Sequence, residues 1–155
     1  MQKIKFLFSS ADHITGLIIR LTLALVILPH GCQLLLGWFG GYGFAGTMQY
    51  FTEVEKLPWI VGFMVIMLQS VGALFILLGV ASRLVALGTV IMFIGMIITS
   101  HAEYGFFMNW FGTQKGEGYE YHLLVIGLAL ALLASGSGKW SVDRVIVKGV
   151  NGLLS

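Results

Sequence analysis

Four side chains able to exchange protons stand out in an otherwise apolar sequence: His30, His101, Glu120 and His122. Imidazole titrates near neutrality, and a carboxylate beside it can take a second proton. That pairing suits quinone reduction or quinol oxidation beside an aromatic, lipid-accessible pocket. Trp110 and Phe106 are the candidates to line the mouth of such a pocket. Arg20, Gln33 and Gln69 complete the ligand-binding set, Arg20 as a charge anchor and the two amides as hydrogen-bonding groups. Three histidines and a carboxylate are also a donor set for zinc, iron or copper, and paired histidines can ligate haem. These residues are far apart in the chain and no haem motif accompanies them, so quinone is favoured over metal. The rival to both is a non-catalytic membrane scaffold or small-molecule carrier, in which the same groups only bond helix to helix or line a passage.

The elements that must position these groups are membrane helices. The chain has 155 residues, 57% hydrophobic and 10% charged, with a mean hydropathy of +0.91. Soluble domains carry about 25% charged residues and 45–50% apolar ones, and a chain this short cannot hide such an excess of apolar surface in a globule. A soluble enzyme is excluded. So is a nucleic-acid binder, since a formal charge of +2 is too small to neutralise many phosphates. The single cysteine, Cys32, rules out an internal disulfide and a Cys-x-x-Cys pair. The expected fold is all-α: one integral membrane domain over residues 1–155, a four-helix bundle with a short C-terminal amphipathic helix.

A span needs about 20 apolar residues. Four candidates lie at about 14–36, 57–80, 84–101 and 118–135. Pro58 fits the first turn of the second, where its missing N–H is harmless. Only Ala81, Ser82 and Arg83 separate the second from the third, which predicts an antiparallel hairpin. Asp12 and His13 interrupt the N-terminal apolar run, so no signal peptide is expected. Loops at about 37–56 and 101–119 are rich in glycine or aromatic rings and are expected to lie on the bilayer or dip into it. Lys3, Lys5, Arg83, Lys139, Arg144 and Lys148 fall on one side, against Lys56 and Lys115 on the other. The positive-inside rule then puts both termini in the cytoplasm, in a bacterial plasma membrane. Val142, Ile146, Val150 and Leu153 recur at helical spacing between Ser141 and Leu154 and predict a surface helix. Asp143, Arg144 and Lys148 are expected elsewhere on that helix.

This topology gathers His30, His101, Glu120 and His122 at the outer end of the bundle, where intramembrane ionisable groups usually mark function. The strictly apolar stretch of the last span, Leu123 to Ala134, has 12 residues and reaches only about 18 Å. Either it extends backwards, carrying Glu120, Tyr121 and His122 into the membrane with the carboxyl neutral or paired with His30, His101 or Arg20, or the bilayer thins locally and Glu120 is an ordinary interfacial residue. Arg20 either snorkels to the inner surface or faces inward, held by Gln69 or a carboxylate. Gln33 is expected to bond with Gln69 or the first loop. The bilayer, a redox partner protein and a second copy of the chain are the expected partners.

Several segments, in order, carry a family resemblance. They are Arg20, then His30-Gly31 with Gln33 and Gly37-Trp38-Phe39-Gly40-Gly41; Gly72-Ala73 and Leu78-Gly79 before Arg83; His101; Gly118-Tyr119-Glu120-Tyr121; and Gly136-Ser137-Gly138 with Ser141-Val142-Asp143. The chain resembles the DoxX family over nearly its whole length. The resemblance implies a four-helix bacterial membrane protein, commonly described as an oxidoreductase, with relatives among the subunits of thiosulfate:quinone oxidoreductase. Two departures remove charge from the bundle. Leu34 stands where many relatives carry Lys, and Gln69 and Ser70 occupy a region where many carry an acidic residue.

Overall fold

The computed structural model describes residues 13–152, and every regular element among them is helical. Helix α1 (Ile14–Leu36) ends at Gly37, whose φ of 74° turns its N–H back to the carbonyls of Cys32 and Gln33. Glycine takes this left-handed conformation without a Cβ clash. The segment expected as a long first loop is largely helical, with a 3-10 turn at Trp38–Gly40, helix α2 at Gly43–Gln49 and a π turn at Tyr50–Val54. Helix α3 (Trp59–Leu78) and helix α4 (Ser82–Tyr104) follow, then α5 (Glu120–Ser135) and α6 (Val142–Gly152). Pro58 stands just before α3 as its cap rather than inside it; its carbonyl accepts the N–H of Val61 and of Gly62.

Helices α1, α3 and α4 are each long and apolar enough to cross a bilayer. Helix α5 has 16 residues and rises about 24 Å, short of the roughly 30 Å hydrocarbon core. The chain runs up α1, down α3, up α4 and down α5, so one end of the bundle holds His13 and α6 and the other holds the two long connections. The first is the terminal end and the second the loop end. Leu23, Ala24 and Ile27 of α1, Ala73 and Ile76 of α3, Ala86, Val90 and Phe93 of α4, and Val125, Ala129 and Leu132 of α5 form the core. Outward faces are also apolar, with Leu25, Ile91, Ile98 and Leu124 exposed. In a bilayer these meet acyl chains.

Two local devices set the packing. Helix α3 is interrupted by a π turn at Leu68–Gly72. Gly31 of α1 faces that turn with no room for a side chain; a Cβ there would strike the Gln69 carbonyl and the Ser70 Cα. The two helices therefore meet backbone to backbone, as small residues permit in membranes.

The second device is at the terminal end. Asp143, 1% exposed, accepts the backbone N–H of Ala81 at 2.6 Å and of Ser82 at 3.1 Å, plus the Ser137 hydroxyl. Its own N–H bonds the Gly79 carbonyl. The Ala81 and Ser82 N–H groups are donors that the start of α4 leaves without intrahelical partners. Capped there, α4 starts at Ser82, and Arg83 is buried inside its first turn, donating to the Ala134 carbonyl. The sequence reading put Arg83 in the turn between the second and third spans and Asp143 merely away from the apolar positions of the last helix; the structure moves Arg83 into α4 and buries Asp143. Helix α6 itself lies where amphipathic spacing predicts it, with Val142, Val145 and Ile146 exposed. Lys3, Lys5, Asp12, Leu153 and Leu154, used in the orientation, leader and helix expectations, lie outside the described residues.

Candidate functional site

His101 and His122 are brought together at the loop end. Their ring centroids lie 4.1 Å apart, with the planes tilted by 45°. His101 arrives near the end of α4 on a further π turn, Ile97–His101; such turns occur frequently at functional sites. His122 sits in the first turn of α5 and faces the core, 5% exposed. Phe93 and Tyr121 stand around it, with ring centroids at 5.5 and 5.7 Å.

The polar atoms of this cluster are unevenly satisfied. His101 Nδ1 is 2.8 Å from the Glu117 carbonyl oxygen. A carbonyl only accepts, so Nδ1 carries the proton, and in the neutral ring Nε2 keeps its lone pair as a base. Behind it, His122 Nδ1 and the Tyr121 hydroxyl are buried with no hydrogen-bond partner. Orphaned buried polar groups are rare in folded proteins. Among the described residues, no three His, Cys, Asp or Glu side chains converge as a metal-ligand set.

Glu120 begins α5, and its carboxylate is engaged by the connection before it. Oε1 accepts the Met108 N–H at 3.0 Å and the Trp110 indole N–H at 3.1 Å. The N–H groups of Tyr119 and Glu120 bond the carbonyls of Gly105 and Phe106. Gly118 lies against that same stretch, where a Cβ would meet the Phe107 and Gly105 carbonyls. Glu120 thus holds an aromatic loop in place, and its partners are Met108 and Trp110 rather than His30, His101 or Arg20. A carboxylate also sits favourably at a helix N-terminus.

The other predicted residues fall elsewhere. His30 is exposed on α1, and no hydrogen bond or ring contact ties it to the other three among the described residues. Gln33 Nε2 donates to the Phe39 carbonyl at 3.3 Å, within the first connection. Gln69 is buried in the π turn of α3 against Gly31. Arg20, 2% exposed, is at the terminal end, away from the histidine pair. It neither snorkels nor bonds Gln69; Nη2 donates to the carbonyls of Lys139 at 3.3 Å and Trp140 at 3.1 Å, and it feels the charge of Asp143.

Comparison with known proteins bears on this architecture. A family model for DoxX matches residues 15–102, more than half of the chain. The chain belongs to the DoxX family. The matched DoxX segment holds Arg20, His30 and His101 and stops before Glu120 and His122. A Bacillus subtilis (strain 168) protein named "Putative oxidoreductase CatD" is 26% identical over 133 residues, 86% of this chain and 87% of that one. No solved structure matches this DoxX chain.

Three polar residues that the sequence reading does not select also organise this DoxX fold. Tyr121 shares the histidine cluster, and Asp143 ties α6 to α4. Glu55, from the first connection, accepts the Tyr50 hydroxyl at 2.6 Å and the Ser100 hydroxyl at 3.1 Å. Asp143 was visible in the Ser141-Val142-Asp143 motif; nothing local distinguishes Glu55, whose Ser100 partner is 45 residues away.

Proposed function

We propose that this DoxX protein is the membrane subunit of a quinone-linked oxidoreductase, exchanging protons at the loop end through His101 and His122. One observation carries the reading: a buried histidine with an unpartnered Nδ1 lies against a half-buried histidine whose tautomer leaves Nε2 basic. Interconversion of quinone and quinol moves two electrons and two protons. The electrons pass to or from a redox partner protein, and the chain supplies binding and proton transfer. His101 is the member a ligand reaches; His122 and Tyr121 stand behind it as further proton partners. Trp110 and Phe106, both exposed, border the approach. The word oxidoreductase in the name of the Bacillus subtilis relative supports the same class. In this reading the loop end faces the outside of a bacterial plasma membrane, and both termini are cytoplasmic.

The test is binding of decylubiquinone to the protein in nanodiscs. Saturable binding is expected, weakened at least about tenfold by His101→Asn and by His122→Asn with helicity and melting unchanged. Absence of saturable binding to the unaltered protein overturns the reading. A non-catalytic scaffold or carrier is then favoured, on the observation that the Glu120 carboxylate is already committed to Met108 and Trp110.

A further inference from the structure

Between α3 and α4 runs a cavity of about 450 Å³, within the range of small-molecule sites. It is lined by apolar side chains, among them Met64, Leu68, Met92 and Met96, and by Gly95. Ile60, Met64 and Ile91 on its rim are exposed, so in a bilayer it opens sideways to lipid. Methionine linings adapt to irregular chains. From Leu57 at the loop end to Leu68 near mid-helix, the helical rise makes it roughly 16 Å long.

Among the described residues that line it, Thr99 is the polar one, and it is not isolated. Thr99 Oγ1 lies 3.1 Å from Ser100 Oγ. Ser100 donates to Glu55 Oε2 at 3.1 Å, and Tyr50 donates to Glu55 Oε1 at 2.6 Å. A row of hydroxyls therefore links the head of the apolar cavity to a carboxylate in the first connection, through Ser100, the residue before His101. The polarity of the row is set at its far end. An ionised carboxylate only accepts, so the Ser100 proton points at Glu55. The Thr99 proton then goes to the Gly95 carbonyl at 3.0 Å or to Ser100. Either way Thr99 presents lone pairs, not a proton, to the cavity.

We infer that this groove is a binding site for the reduced, hydroxyl-bearing form of an isoprenoid quinone, its tail along Met64, Met92 and Met96 and its ring O–H donating to Thr99 Oγ1. This rests on the quinone reading above and deepens it, adding Thr99, Ser100 and Glu55 as the groups that select the redox form. A ring hydroxyl completes the row as the donor it lacks. A quinone carbonyl offers only an acceptor to another acceptor. A phosphate-headed lipid brings negative charge towards Glu55, so an uncharged head is favoured over a phospholipid. No electron transfer is required of the groove.

The experiment compares decylubiquinol with decylubiquinone in nanodiscs, under argon, for the unaltered chain and three variants. Tighter binding of the quinol, by about tenfold, is expected. Gly95→Leu fills the groove, and a Cβ at Gly95 meets no atom within 4 Å, so the fold tolerates it; both ligands should be lost. Thr99→Val should abolish the preference for quinol while leaving quinone binding in place. Glu55→Gln, whose amide can donate and so reverse the row, should shift the preference towards quinone. Should both forms bind the unaltered chain equally, or Gly95→Leu bind as well as the unaltered chain, this inference falls while the quinone-linked reading stands. Should neither form bind, both fall.

Discussion

The Asp143 carboxylate caps helix α4 from 62 residues away, accepting the Ala81 N–H at 2.6 Å. It couples the surface helix α6 to the α3–α4 hairpin through a group with almost no contact with solvent. Asp143→Ala leaves the Ala81 and Ser82 N–H groups without their acceptor and leaves the Ser137 hydroxyl only Ser82 Oγ. The expected loss is roughly 1.5–3 kcal/mol, the usual worth of hydrogen bonds to a charged group, seen as a lower melting midpoint in detergent. Asp143→Asn, which keeps one acceptor, should lose less. Equal melting of all three proteins would remove the cap from the account.

Gly31 and Gly95 should respond oppositely to alanine. Gly31 is pressed on the Gln69–Ser70 backbone, and Gly95 faces open space. Gly31→Ala is expected to cost about 1–3 kcal/mol through overpacking. Gly95→Ala should be neutral or gain about 0.5–1 kcal/mol from helix propensity. Thermal melting of the two variants side by side checks the pair, and a similar response would mean that α1 and α3 are not in backbone contact.

Glu120 is expected to act on the loop before it acts on any ligand. Glu120→Ala removes the acceptor for Met108 N–H and Trp110 Nε1–H. Backbone amides across 105–119 should exchange faster in hydrogen-exchange mass spectrometry, by about tenfold or more, as loss of a charge-assisted hydrogen bond predicts. Glu120→Gln retains an acceptor oxygen and should exchange nearly as the unaltered chain does. Unchanged loop protection in Glu120→Ala would refute the anchoring role.

The Tyr50–Glu55 bond gives a signature at high pH. Its hydrogen bond to Glu55, followed by burial and nearby negative charge, pushes the Tyr50 phenol up from 10.0 to about 12. Folding favours the protonated phenol, so this contribution to stability is complete below pH 10 and is lost as pH climbs from about 10 to about 12. Glu55→Gln should return Tyr50 towards its ordinary value. Tyrosinate absorbance, with Tyr50→Phe to identify the signal, reads the shift; an unmoved titration in Glu55→Gln would break the assigned pairing.

Much of the fold is legible in the sequence, and little of the site is. The apolar runs over 14–36 and 57–80 contain helices α1 and α3, and the spacing of Val142 and Ile146 predicts α6. Proximity was harder to read. Topology places His30, His101, Glu120 and His122 at one end, yet only His101 and His122 touch among these four, because a π turn and the first turn of α5 set their directions. Glu120 turns to the connection before it because that segment returns to the helix N-terminus, where backbone donors and acceptors need partners.

Membrane residence and helical class follow from composition and run length, since bilayer thickness and the rise per residue dictate how many apolar residues a span needs. The partners of the polar groups belong to the tertiary structure. Arg20 meets the carbonyls of Lys139 and Trp140 across 119 and 120 residues, and Glu55 reaches Ser100 across 45. Such contacts leave no period and no local motif in the chain. They arise because buried donors and acceptors, denied water, must bond whichever groups the packed helices bring within reach.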